Sequence, residues 1–438
     1  MIDTGTTAWI LVSASLVLLM TPGLALFYGG MVRTKSVLNM MLMSFGAMAV
    51  VGVVYVLWGW SMSYSEDSVL GIVGNPFTHF GLAGVITDAA GQYVVSDGLP
   101  TIVDVGFQVT FAIITVALIS GAIADRARFG TWLVFTGLWV TFAYFPMAHM
   151  VWGGGLLSDA GPFASLADPI DFAGGTVVHI NAGVAALVLA LVIGRRKGFG
   201  PALARPHNLP LVMLGAGLLW FGWFGFNAGS AYAADGSAGL AWVNTTTATA
   251  AAILGWLLVE RVRDGHATSL GAASGIVAGL VAVTPAAGSI SPVGAILLGV
   301  VAGGLSSVAV GLKYRFGYDD SLDVVGVHLV AGLWGTVAIG FLATETGLFY
   351  GGGFAQLAVQ VLIALVAIVF SAVVTVVIAL ALKAVMGWRI TEEDEVGGID
   401  QAVHAESGYD LAALGASGFR PGTAPSARAT TSSEEVSA

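Results

Sequence analysis

Two histidines enter apolar stretches that carry almost no other ionisable group. One closes Asp171-Phe-Ala-Gly-Gly-Thr-Val-Val-His179, and the other closes Asp323-Val-Val-Gly-Val-His328. A neutral imidazole donates at one ring nitrogen and accepts at the other, and its unperturbed pKa of about 6.5 lets it gain and release a proton readily. Ionisable groups within membrane spans are costly, so they face a bundle interior or a cavity. A single histidine in a packed bundle is ordinarily a hydrogen-bonded structural residue. Two at matching positions point instead to a shared lumen. Phe111, Trp152, Trp223 and Phe226 are open to two readings as well, because aromatic residues are common at membrane interfaces. If Phe111 and Trp152 converge with Ser230, the ring faces attract a cation by ~0.5–2 kcal/mol and the hydroxyl accepts one of its N–H donors.

The elements that must position these residues follow from composition. Of 438 residues, 57% are apolar and 10% charged, with a mean hydropathy of +0.88, which excludes an ordinary soluble protein. Stretches such as Val105–Ala124 and Ala358–Leu382 carry no charge at all. Spanning a bilayer takes about 20 mostly apolar residues in a helix, and backbone groups in hydrocarbon must be satisfied within the segment. The runs do not alternate as β-barrel strands would. The chain therefore reads as an all-α integral membrane protein with eleven spans, near 8–31, 38–60, 101–124, 131–151, 174–194, 208–229, 240–260, 268–285, 293–313, 325–343 and 358–386. The first run has no basic region before it and continues to Gly30, so it reads as a retained helix and not a signal peptide. With no cysteine there are no disulfides, and a net charge of −10 is not a nucleic-acid footprint. The two histidines have no further His, Cys or carboxylate at ligand spacing, so neither a metal, a cofactor nor an enzymatic activity is expected.

Basic residues give the topology. Arg33, Lys35, Arg126, Arg128, Arg195, Arg196, Lys197, Arg205, Arg261, Arg263, Lys313, Arg315, Lys383, Arg389, Arg420 and Arg428 all follow odd-numbered spans. They share one face, which the positive-inside rule makes cytoplasmic, with the N-terminus outside and the C-terminus inside. The segments opening at Asp171 and Asp323 lie five spans apart. An odd separation reverses direction, so they read as an inverted five-helix repeat, about 1–200 and 201–345, followed by one long C-terminal helix at 358–386. The membrane domain is then 1–386, with a polar cytoplasmic region at 387–415. The Ser-, Ala-, Thr-, Gly- and Pro-rich stretch 416–438 reads as disordered.

Five motifs make the reading specific: Phe145-Pro-Met-Ala-His-Met-Val-Trp-Gly-Gly-Gly155, Asp171 through Gly183, Pro206-His-Asn-Leu-Pro210, Gly222-Trp-Phe-Gly-Phe-Asn-Ala-Gly-Ser230, and Asp323 through His328. In these the chain resembles the ammonium transporters of the Amt/Mep/Rh superfamily, on the bacterial and archaeal Amt side. The resemblance implies an outer NH4+ site at Phe111, Trp152 and Ser230, and a gate of stacked rings at Phe111 and Phe226. It also implies twin pore histidines at His179 and His328, an acid at Asp171 that shapes the outer site without touching the substrate, and Trp223 as a pore neighbour. Substrates would be ammonium, ammonia and methylammonium, taken up across the plasma membrane by a homotrimer with one pore per subunit.

The tail resembles the family's regulatory pattern through Gly387–Glu395, Gly398-Ile-Asp400 and His404–Tyr409, which implies docking of a PII-type signal protein. Ala405 departs from the pattern, standing where a glycine is usual. The plain alternative for this region is a solvated acidic linker. Two other functions fit the same architecture: an ammonium sensor acting through a partner, and a Rh-like channel for neutral gas. The aromatic pair with Ser230 favours a site for a cation.

Overall fold

The computed structural model describes residues 1–200 and 206–409. Eleven helices in it are long and apolar enough to cross a membrane. They are α1 (Thr4–Met31), α2 (Val37–Tyr64), α3 (Thr101–Ile123), α4 (Phe129–Trp152), α5 (Gly175–Ile193), α6 (Leu209–Gly229), α7 (Gly236–Asp264), α8 (Ser269–Ala286), α9 (Pro292–Phe316), α10 (Val325–Leu342) and α11 (Ala355–Val385). Every expected span is present. Two begin a turn earlier than hydropathy suggests, because an aspartate caps each. Asp3 accepts from Thr6 N at 2.8 Å, and Asp235 accepts from Ser237 N at 2.9 Å and Ala238 N at 3.2 Å. A carboxylate there satisfies amide donors that the helix cannot, which lets polar residues form the first turn.

Lipid gives little hydrophobic drive for helix association, so the bundle depends on close packing through small residues. A Cβ on Gly303 would overlap the Ala252 carbonyl of α7, and one on Gly215 would overlap the Phe27 backbone of α1. These glycines let α9 meet α7 and α6 meet α1 at backbone distance.

The basic residues do gather on one face, where they hold the ends of different helices together. Buried Arg126 donates to the carbonyls of Gly194 at 2.9 Å and Asp319 at 2.6 Å, and to Ser321 Oγ at 2.6 Å. Arg196 pairs with Asp319 at 2.9 Å and Asp125 at 3.1 Å. Arg128 donates to Met386 O, Lys383 to Val192 O and Arg263 to Ser307 O. Arg205, Arg420 and Arg428 lie outside the described residues, as does 416–438.

The tail up to Tyr409 is docked on this basic face and is not a solvated linker. Asp400 accepts from Leu38 N at 3.0 Å and Asn39 N at 2.8 Å, at the start of α2. His404 Nε2 lies 3.0 Å from Asn39 Oδ1, and His207 Nε2 lies 2.9 Å from the Tyr409 hydroxyl. Glu395 pairs with Arg389 and accepts from Lys197 N at 2.6 Å. At the opposite face, the long loop between α2 and α3 folds into two short hairpins, Ser68–Val69 with Val73–Gly74 and Val95–Ser96 with Leu99–Pro100. The first is pinned to α4 by Ser68 Oγ and His149 Nε2, 2.8 Å apart.

Candidate functional site

Asp171 is spent on its own chain. Its carboxylate accepts from Gly174 N at 2.9 Å, Gly175 N at 2.6 Å, Thr176 N at 2.8 Å and Val177 N at 3.3 Å, and from the Thr176 hydroxyl. Those amides open α5, so one acid satisfies nearly a full turn of orphan donors. The Asp171 backbone carbonyl accepts the Trp152 indole N–H at 3.0 Å. One residue thus fixes both the start of α5 and the orientation of Trp152.

Trp152, Phe111 and Ser230 line a single cavity of about 480 Å³ on the face opposite the basic one, together with Asp104, Gln108 and Tyr232. The Phe111 and Trp152 rings meet edge to face, 6.1 Å between centroids and 86° between planes. Ser230 donates its proton to Phe226 O at 2.8 Å, leaving its oxygen lone pairs as acceptors. Beneath the cavity, Phe111 and Phe226 overlap at 4.2 Å with a 33° tilt, and both are buried. The rings close the floor of the cavity.

Below them the column continues in imidazole. His179 lies 6.2 Å from the Phe226 ring and stacks on Trp223 at 5.5 Å, with 17° between planes. Trp223 is held by its N–H to Thr284 Oγ1 at 2.8 Å. His179 Nδ1 and His328 Nδ1 are 3.3 Å apart, and both rings are buried. His328 then lines a small cavity with Tyr28, Ser274 and Asp323 that has only about 10 Å³ of free volume, roughly the space of one water.

Both histidines sit on π-helical turns, Gly175–Ile180 and Val325–Leu329. The wider turn is rare and recurs at functional sites, because it rotates side chains out of the regular helical register. The residue that corresponds to Asp171 is not Asp323, as the sequence suggested, but Asp320. Asp320 accepts from Val324 N at 3.1 Å and Val325 N at 2.7 Å, capping the second π-helical turn. Asp323 pairs instead with Lys313 at 2.7 Å. Each capping acid precedes its histidine by eight residues, and each histidine is followed four residues later by a glycine, Gly183 or Gly332. A Cβ on Gly332 would come within 2.9 Å of His179 Cβ, and one on Gly183 within 2.6 Å of Leu329, the neighbour of His328.

Of the polar residues that line the cavity, sequence reading missed Tyr64, Asp104, Gln108, Asp159 and Tyr232. A signal for two of them was available, since Asp104, Gln108 and Phe111 follow i, i+4, i+7 spacing on one face of α3.

Eleven membrane-length helices around a cavity floored by stacked aromatic rings, with two buried imidazoles beneath, have the form of a membrane transport protein. The model of the Ammonium Transporter Family matches residues 8–409. The chain is 57% identical to an ammonium transporter of Mycobacterium tuberculosis, over 96% of this chain and 93% of that one. Among solved structures it is similar to Candida albicans Mep2, with a TM-score of 0.81 at 32% identity over 90% and 88% of the two chains. It is likewise similar to a sensor Amt protein, with a TM-score of 0.82 at 29% identity over 91% and 98%. The chain belongs to the ammonium transporter family, which is a family of transporters and channels and not of enzymes.

Proposed function

We propose that this chain takes up ammonium: NH4+ is held by Phe111, Trp152 and Ser230, loses a proton near that site, and crosses as NH3 past Phe111 and Phe226 and along His179 and His328. The observation that carries the reading is the unbroken column from Trp152 through Phe111 and Phe226 to the paired imidazoles, with Ser230 free to accept at its head. The chemistry favours this route over a sized ion filter. Moving a bare cation into a dry lumen costs many kcal/mol, whereas neutral NH3 crosses cheaply. K+ cannot shed a proton, so the closed column rejects it. The imidazole pair offers a separate path for the released proton. A neutral-gas channel has no use for an aromatic and hydroxyl cation site.

In this reading the Lys- and Arg-rich face is cytoplasmic and the cavity opens outside the plasma membrane, with the N-terminus outside and the C-terminus inside. The matched Asp171/His179/Gly183 and Asp320/His328/Gly332 sets support two inverted repeats within the 1–386 membrane domain. The docked segment 387–409 supports a regulatory region, and the resemblance of this tail to the family's pattern supports a homotrimer with a PII-type partner at that face. Methylammonium uptake into proteoliposomes, with charge movement recorded on a supported membrane, tests the mechanism. Uptake insensitive to a large excess of K+ is expected, with Trp152→Ala raising the half-saturating concentration. K+ competing for passage, or K+-evoked current, would sink the deprotonation route.

A further inference from the structure

The cavity above Phe111 has a second wall that the transport route does not use. Asp104, Gln108 and Phe111 share one face of α3, and Tyr232 closes over them from just beyond α6. Tyr232 holds a left-handed backbone, φ +54°, which a non-glycine residue adopts only at a cost. Its ring packs edge to face on Phe107, 5.8 Å away, and Phe107 packs on Phe111 at 4.8 Å. The Tyr232 hydroxyl lies 2.7 Å from Asp104 Oδ1, and Gln108 Nε2 lies 2.6 Å from the same hydroxyl.

The direction of this chain follows from charge. An ionised carboxylate only accepts, so Tyr232 gives its single proton to Asp104, and the phenol oxygen must then accept from Gln108. Gln108 is thereby obliged to turn its amide NH2 toward Tyr232. Its carbonyl oxygen, Oε1, is left buried with no partner among the described residues, on a side chain only 7% exposed. A buried acceptor without a donor is costly and calls for an explanation. The rest of the cavity has the same bias. Ser230 has spent its proton on Phe226, and no Lys or Arg lines the cavity. Asp159 adds a second carboxylate to the lining, so the net field is negative.

We propose that Asp104, Tyr232 and Gln108 form a collecting wall for small cations bearing N–H donors. Gln108 Oε1 accepts one N–H of the incoming ammonium or methylammonium ion, and Asp104 supplies both the attracting charge and, through Tyr232, the orientation of that amide. Tyr232 is a positioning residue in this arrangement. The inference rests on the reading that Phe111, Trp152 and Ser230 hold the ion.

The test is methylammonium uptake by the full chain in proteoliposomes, at low and high ionic strength. Asp104→Asn removes the charge and leaves an amide that can still pair with Tyr232. It should raise the half-saturating concentration about fivefold at low ionic strength and weaken the salt dependence seen in the parent, the remainder coming from Asp159 in the same lining. Tyr232→Phe keeps the charge and frees the amide. It should raise half-saturation about fivefold while preserving the salt dependence. Wild-type half-saturation and salt dependence in Asp104→Asn would overturn the wall, as would unchanged half-saturation in Tyr232→Phe should the first variant fail to assemble. A wild-type response in Trp152→Ala would strike the underlying ion site instead, so the two failures are told apart.

Discussion

His179 and His328 stand with their Nδ1 atoms 3.3 Å apart and their ring planes 23° from parallel. A hydrogen bond between two neutral imidazoles needs one protonated and one bare Nδ1, so the rings hold opposite tautomers. The pair therefore has a direction, and reversing it moves a proton at each ring. His179 Nε2 has no partner among the described residues. Rings held this closely depend on the bare backbone of Gly332 opposite His179.

Gly332→Ala places a methyl group within 2.9 Å of His179 Cβ. Overpacking of this kind costs about 1–3 kcal/mol, relieved here by pushing the imidazole out of line. Methylammonium uptake should fall about tenfold or more while the protein still assembles in detergent. Undiminished uptake would mean that the spacing of the two rings is not critical.

Asp171→Asn keeps the size of the side chain but exchanges one acceptor oxygen for an NH2 that faces backbone N–H donors. Losing that cap should cost about 2–3 kcal/mol and loosen both the start of α5 and the Trp152 indole. A lower melting temperature together with lost uptake is expected. Normal uptake in Asp171→Asn or Asp171→Ala would count against the placement of Asp171 at the head of the column.

Asp319 and Asp320 are neighbours with opposite acid responses, both lying between α9 and α10. Burial tends to raise the Asp319 carboxyl, but hydrogen bonds and charge from Arg196 outweigh it and hold the group below its ordinary value. Its contribution to stability is present above the unfolded value near 3.8 and is lost as pH falls through the folded value. Asp320 is pushed up to about 6, chiefly by burial, with Lys313 opposing. Its contribution is present below 3.8 and is lost as pH rises through about 6. Between pH 4 and 7 thermal stability should therefore slope downward through Asp320, and Asp320→Asn should flatten that slope. A slope unchanged in the variant would place its origin elsewhere.

Ala405 adopts φ +55°, a left-handed conformation that glycine takes at no steric cost. Ala405→Gly should relieve about 1 kcal/mol of strain in the docked tail, at the junction between His404 on Asn39 and the segment leading to Tyr409. Slower hydrogen exchange over residues 398–409 is the expected readout. Faster exchange would show that the loss of chain entropy on docking outweighs the strain.

Asp171 and Asp320 illustrate how far the sequence could be read. Asp171 was legible because it starts an apolar run. Asp320 was passed over for Asp323, since three acids lie close together and only hydrogen bonds reveal which one caps the helix. The spacing of eight residues to each histidine would have found it. Gln108 and Tyr232 were not legible as a pair, because Gln108 lies on α3 and Tyr232 in the loop after α6, and their link is a contact between side chains.

What the sequence determined by itself was the bundle: span number, the sharing of one face by the basic residues, and the family. Those depend on hydrophobicity and charge, which act over whole segments and tolerate errors of a few residues. The tertiary structure decided which groups meet. It set Phe111 on Phe226, turned His179 toward His328 through two π-helical turns, and left Gln108 with an oxygen unpaired among the described residues. Hydrogen bonds and ring contacts are short-ranged and directional, so a shift of one residue in helix register makes or removes them, and hydropathy is blind to such a shift.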